Sequence, residues 1–134
     1  LPSLPRKKAT CSAKGRLTMT SSTDYKALTR EISSNVSELR NSVPQVMQGF
    51  NALGKAALAG GAIDAKTKEL IALGIGVAAR CDGCIGFHTQ ALIKLGVTKA
   101  ELTEMLGVAV MMGGGPSLMY AGETMRAFEE FGGK

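Results

Sequence analysis

An all-α bundle is the fold this chain predicts, and three features of its 134 residues carry the prediction. Apolar residues recur at three- and four-residue steps along most of the length. Alternating strand-like runs are almost absent. Residues that start and stop helices fall in the gaps between the periodic stretches. At this length the chain holds one core and one domain, read as residues 19–134.

The elements follow in order. From about Asp24 to Asn41, Leu28, Ile32, Val36 and Leu39 step along one face with charges between them, which predicts an amphipathic surface helix. Pro44 suits the first position of a second helix through Val46, Met47, Phe50, Leu53 and Leu58, and Gly60-Gly61 is expected to end it as an achiral cap. Asp64 is placed to cap a third helix that is apolar on nearly every side (Leu70, Ile71, Leu73, Ile75, Val77) and so is expected centrally. A fourth helix carries Ile85, His88, Leu92 and Leu95 on one face and stops near Gly96. Thr98 with Glu101 three residues on forms a capping box. The fifth helix shows Leu102, Met105, Leu106, Ala109 and Met112 as a core stripe, and the methionines read as core filler. Gly113-Gly114-Gly115-Pro116 breaks the chain before a last helix from about Ser117 to Glu130. The third helix and the end of the fifth carry more apolar surface than so short a chain can bury, so part of it is expected to close against another subunit.

The formal net charge of +5 is concentrated at the start. Residues 1–18 hold Arg6, Lys7, Lys8, Lys14 and Arg16 and no acid; of 16 basic residues these five leave 11, against 11 acidic ones. The body is therefore neutral. With two Tyr, four Phe and no Trp it offers no basic surface interleaved with stacking rings, which argues against nucleic acid. No apolar run has membrane-spanning length, so no membrane association is expected. Residues 1–18 read as a basic leader or upstream extension, expected to be disordered. They lack the apolar centre of a secretory signal, and Met19-Thr20-Ser21-Ser22 looks like a natural start. An organellar presequence is the other reading of this segment.

Two of the three cysteines form one Cys-x-x-Cys step, Cys81-Asp82-Gly83-Cys84; Cys11 lies in the leader. The only histidine, His88, follows Cys84 by four residues, and Glu69 precedes Cys81 by twelve. If Cys81 opens the fourth helix, Cys84 and His88 lie along one stripe, and the imidazole reaches the Cys84 sulfur directly or through one water. The helix N-terminus and the nearby base both favour thiolate, below the free thiol pKa of about 8.5. Folding the third and fourth helices as an antiparallel hairpin about Ala78-Ala79 places Glu69 opposite His88, where a carboxylate fixes the imidazole tautomer. Thiol pair, base and orienting acid are the parts of dithiol–disulfide chemistry. Zinc is disfavoured, because three ligands leave a fourth position empty and the body has no second Cys or His pair. Gly113–Gly115 is no phosphate loop, since no Lys-Ser/Thr follows. A lone thiol pair of this kind suits a reducing compartment, the cytoplasm.

With these residues in view, the chain resembles the alkylhydroperoxidase D-like (AhpD-like) branch of the carboxymuconolactone decarboxylase superfamily. The match rests on Glu69, the spacing to Cys81-x-x-Cys84, and His88. It extends through Leu70–Arg80, Gly96-Val97-Thr98, Glu101 and Glu104, and Val110 to Pro116, covering roughly Pro44 to Phe131. The resemblance implies a helical fold built around the helix pair that carries Cys-x-x-Cys, assembled as a homotrimer or homohexamer. It also implies an antioxidant peroxidase cycle without metal or flavin cofactor. In that cycle Cys84 would be the thiol activated by His88, Cys81 its disulfide partner, and Glu69 part of the proton relay. Helix-end exposure favours Cys81 as the first sulfur to meet a hydroperoxide, whereas the histidine spacing favours Cys84. The implied partners are a dithiol reductant, either a lipoyl protein or a thioredoxin-like donor, and a peroxiredoxin. One departure stands out: the best-studied branch has a histidine immediately before the second cysteine, and this chain has Gly83. Two other functions compete: decarboxylation of a lactone acid, which needs no thiol pair, and a non-catalytic thiol redox sensor.

Overall fold

The structure, a computed structural model, describes residues 22–134; the leader and Cys11 lie outside the described residues. Among the described residues five helices make up the fold: α1 Tyr25–Ser42, α2 Pro44–Leu58, α3 Ala65–Ala78, α4 Asp82–Lys94 and α5 Lys99–Glu130. No strand occurs among the described residues. None of the described helices is long and apolar enough to cross a membrane.

Most helix ends are set by the capping residues. Asp24 accepts from the Ala27 amide at 2.8 Å, and Asp64 from the Thr67 amide at 2.9 Å and hydroxyl at 2.7 Å. Those two donors hold the Asp64 carboxyl below its ordinary pKa. Gly96 closes α4 with a φ of 72°, which lets the Val97 amide turn back onto the Leu92 carbonyl. The capping box forms: Glu101 N–H donates to Thr98 Oγ1, and the Thr98 amide donates to Glu101. Lys66 binds the same carboxylate at 2.6 Å, and this ion pair is the first cause of the lowered Glu101 pKa, ahead of the Thr98 bonds. Replacing Thr98 with Ala is expected to cost about 1 kcal/mol, read as a lower denaturant midpoint at unchanged slope.

The end of α2 corrects the expectation for Gly60-Gly61. The helix stops at Leu58, Ala59 leaves it in an extended conformation, and neither glycine takes a positive φ. Lys68 supplies what a left-handed cap would have supplied, donating its ammonium to the Ala59 carbonyl at 2.6 Å.

The last two predicted helices are joined as α5, broken at Gly114 (φ 69°, ψ −155°), a conformation open only to glycine. The two limbs run back alongside one another. Lys99 and Glu129, thirty residues apart, approach to 3.9 Å, where an unbroken helix would hold them about 45 Å apart. Between the limbs lies a cleft of about 460 Å³ with Leu106, Val110, Leu118 and Met125 on its walls.

The core is formed where α3, α4 and both limbs of α5 meet the start of α1: Tyr25, Leu73, Val77, Ile85, Leu92, Leu102, Leu106 and Phe128. Ile71 and Ile75 on α3 and Met112 on α5 are exposed, which corrects their expected burial. Met111 and Met119 are exposed too, whereas Met105 and Met125 line the core as filler. The last turns of α5 anchor the start of α1. Glu130 accepts from the Tyr25 amide at 2.8 Å, and Arg126 donates to the Thr23 carbonyl, pairs with Glu123 and Glu130, and lies over the Tyr25 ring.

Candidate active site

Three close approaches assemble the site. Gly76 on α3 lets α4 in; a Cβ there would stand 3.0 Å from the Cys84 Cβ. Arg80 takes a left-handed conformation (φ 57°), and the chain reverses so that the Cys81 amide bonds the Gly76 carbonyl at 3.0 Å. On the other side, α1 lies against Gly83 and Gly86. A Cβ at Gly86 would come 2.6 Å from the Thr29 methyl, and the Thr29 hydroxyl is already committed to the Tyr25 carbonyl at 2.9 Å. Gly86→Ala is therefore expected to destabilise the fold by about 1–2 kcal/mol through overpacking, measurable by chemical denaturation.

Cys81 is the N-cap of α4, as expected, and its sulfur accepts from the Cys84 amide at 3.2 Å. Cys81 and Cys84 are joined as a disulfide, with Cα atoms 5.2 Å apart, and both are partly exposed. The pair thus sits at the positive end of the α4 dipole, where unpaired amides favour negative charge.

His88 stands one helical turn beyond Cys84 on the same stripe of α4. Its Nδ1 lies 2.6 Å from Glu69 Oε2, across the α3–α4 pair. Glu69 is buried, only 8% exposed, while His88 is partly open. A carboxylate accepts only, so it binds the tautomer that carries its proton on Nδ1 and leaves Nε2 with a lone pair. The four residues singled out from sequence are therefore gathered on two adjacent helices. Among the described residues no group of three or more His, Cys, Asp or Glu side chains converges as a metal site requires.

Two features had no sequence signal. A Cβ at Gly83 would meet Ile32 Cδ1 at 2.9 Å, so α1 occupies the place where a side chain before Cys84 would lie. Tyr25 is fully buried beneath α4, and its hydroxyl has no partner among the described residues. Burial pushes this phenol's pKa above its ordinary value, and the Asp82 and Glu123 carboxylates push the same way.

Comparison with known proteins bears on this arrangement. Residues 44–131 match the model of the carboxymuconolactone decarboxylase family. An uncharacterised protein of Cupriavidus necator is 36% identical over 107 residues, which cover 80% of this chain and 95% of that one. A solved carboxymuconolactone decarboxylase family protein from Legionella pneumophila is 53% identical, with a TM-score of 0.79, covering 80% of this chain and 96% of its own. Another, from Thermotoga maritima, for which a role in antioxidative response has been raised, is 28% identical with a TM-score of 0.65 over 75% of this chain and 88% of its own. The match spans α2 to α5 and includes both cysteines, Glu69 and His88, and by it the chain belongs to the carboxymuconolactone decarboxylase family.

Proposed function

We propose that the protein is a thiol-dependent hydroperoxidase that cycles Cys81 and Cys84 between dithiol and disulfide. The observation that carries this reading is the bonded cysteine pair at the head of α4 with His88 one turn behind it, held by Glu69 at 2.6 Å. In the reduced protein His88 Nε2 takes the proton of Cys84 and Glu69 steadies the ring. A thiolate attacks the terminal oxygen of a hydroperoxide. The O–O bond breaks, the sulfur becomes a sulfenic acid, and the alkoxide leaves as alcohol after taking a proton from the imidazolium. The second thiol displaces hydroxide from the sulfenic sulfur, giving water and the disulfide. An external dithiol then restores both thiols by exchange and leaves as its own disulfide. The sum is hydroperoxide plus dithiol to alcohol, water and disulfide. No metal or organic cofactor enters, and a reducing cytoplasm suits the donor. The antioxidative role raised for the Thermotoga maritima relative agrees with this chemistry.

The missing side chain at Gly83 bears on the donor. With Ile32 against that position, α1 covers one flank of the pair, so the donor approaches from the Arg80 side or past His88. The test is peroxide consumption with dihydrolipoamide, dithiothreitol and thioredoxin compared as donors. Steady consumption that matches donor oxidation one for one is expected with at least one of them. Consumption no faster than each donor alone would overturn the reading.

A further inference from the structure

Arg80 stands immediately before Cys81, its Cα about 3.8 Å from that of the cysteine. It closes α3 in a left-handed conformation: its amide bonds the Val77 carbonyl at 3.1 Å, and the Cys81 amide bonds the Gly76 carbonyl at 3.0 Å. Glycine fills this closing position of a helix without strain. The turn itself therefore asks for no side chain, yet the chain places a long cation there. Arg80 is exposed, and among the described residues its guanidinium makes no ion pair. Asp82, the nearest acid in sequence, acts instead on the buried Tyr25 phenol at the start of α1.

This flank of the thiol pair is also open. The elbow of α5 comes up beside the end of α3, where a Cβ at Gly113 would stand 3.9 Å from that of Ala78. Gly113-Gly114-Gly115 brings no side chain to it, and a Cβ at Gly114 or Gly115 would meet nothing within 4 Å. The other approaches are occupied or committed. Ile32 of α1 lies against Gly83, and the Glu69 carboxylate is buried and bound to His88. The disulfide seen here is the form of the pair that a thiol donor meets, and such a donor attacks as its thiolate.

We propose that Arg80 selects the donor by binding the carboxylate of a small thiol that carries one within a few bonds of its sulfur. The proposal rests on the dithiol reading of the pair and concerns only the step that reopens the disulfide. In that step a donor thiolate attacks one sulfur, the S–S bond breaks and a mixed disulfide forms. The other cysteine leaves as thiolate and takes up the proton that the donor thiol gave up. A second donor thiol attacks the mixed disulfide, frees the remaining cysteine and leaves as donor disulfide. Two electrons and two protons thus pass to the protein. Arg80 bonds to no sulfur in either attack; its planar guanidinium holds the carboxylate while the thiolate reaches the pair.

The oxidised full chain, without peroxide, tests the proposal. Mercaptopropionate, mercaptoethanol and cysteamine are small thiols with a negative charge, none and a positive charge. The gain of two alkylated cysteines in acid-quenched samples, read by mass, gives the rate with each. Arg80→Gly suits the left-handed turn, so the helical circular dichroism signal is kept, and its rates give the intrinsic reactivity of the three thiols. Relative to mercaptoethanol, mercaptopropionate should react about fivefold slower in Arg80→Gly than in the wild type at low salt. Cysteamine should react no slower. Arg80→Lys should keep part of the preference, and salt should weaken it. An unchanged ratio of mercaptopropionate to mercaptoethanol rates in Arg80→Gly overturns the proposal. A disulfide that none of the three thiols opens overturns it as well. The hydroperoxidase reading fails on a different result: a pair that reopens with this charge preference but consumes no peroxide leaves the role of Arg80 standing and removes peroxide from the cycle.

Discussion

Replacing either Cys81 or Cys84 by serine is expected to lower steady peroxide turnover by about 1,000-fold or more. A serine hydroxyl is a far weaker nucleophile at neutral pH, and it cannot form the disulfide by which, in the proposed cycle, a donor resets the protein. The two single variants fail at different points. The variant that keeps the attacking sulfur should still consume one equivalent of peroxide and halt as a sulfenic acid, which a dimedone label captures. The variant that lacks it should show no such burst. This pair of experiments decides which sulfur attacks, where helix-end exposure favours Cys81 and the histidine spacing favours Cys84. Because Cys81 also caps α4 through its sulfur, a serine there keeps an acceptor at the N-cap and holds the stability cost to a few tenths of a kcal/mol. Full peroxidase activity in the double serine variant would remove the dithiol from the mechanism.

The second large effect lies at Glu69. Glu69→Gln keeps the shape and replaces the carboxylate by an amide, which can present its NH₂ as well as its oxygen to His88 Nδ1. The imidazole then loses the anion that fixes its tautomer and steadies the imidazolium that forms when it takes a proton. A fall of about 100-fold in kcat/KM is expected, with far-ultraviolet circular dichroism unchanged. His88→Asn should cost at least as much. The double variant should lose little more than His88→Asn alone, because the acid acts only through the ring. Additive losses would show that Glu69 does something other than position His88.

Much of this arrangement was legible in the sequence because its signals are local. Pro44 fits the first turn through its fixed φ, while Asp64, Thr98 with Glu101, and Gly96 act on amides within a few residues of themselves, and each begins or ends a helix where expected. The meeting of Glu69 and His88 needed only a hairpin of two helices with its turn near Ala78-Ala79. What stayed hidden depends on residues distant in sequence. Nothing around Gly60-Gly61 announces that Lys68 will take the Ala59 carbonyl in place of a glycine cap. Helical periodicity places Ile71, Ile75 and Met112 on apolar faces without saying whether those faces look inward, and they open to a groove instead. The fit of Ile32 over Gly83 follows from the way α1 crosses α4, which no spacing within either helix encodes.

The tie between the beginning and end of the described chain sets an order of events during synthesis. The segment from Thr23 to Tyr25 is made early, but its polar anchors, Arg126 and Glu130, are made about a hundred residues later. Until the ribosome delivers that final turn, α1, which packs beside the thiol pair at Gly83, lacks its fastening. A nascent chain therefore passes through a stage in which both cysteines of the pair are present and α1 is still unlatched.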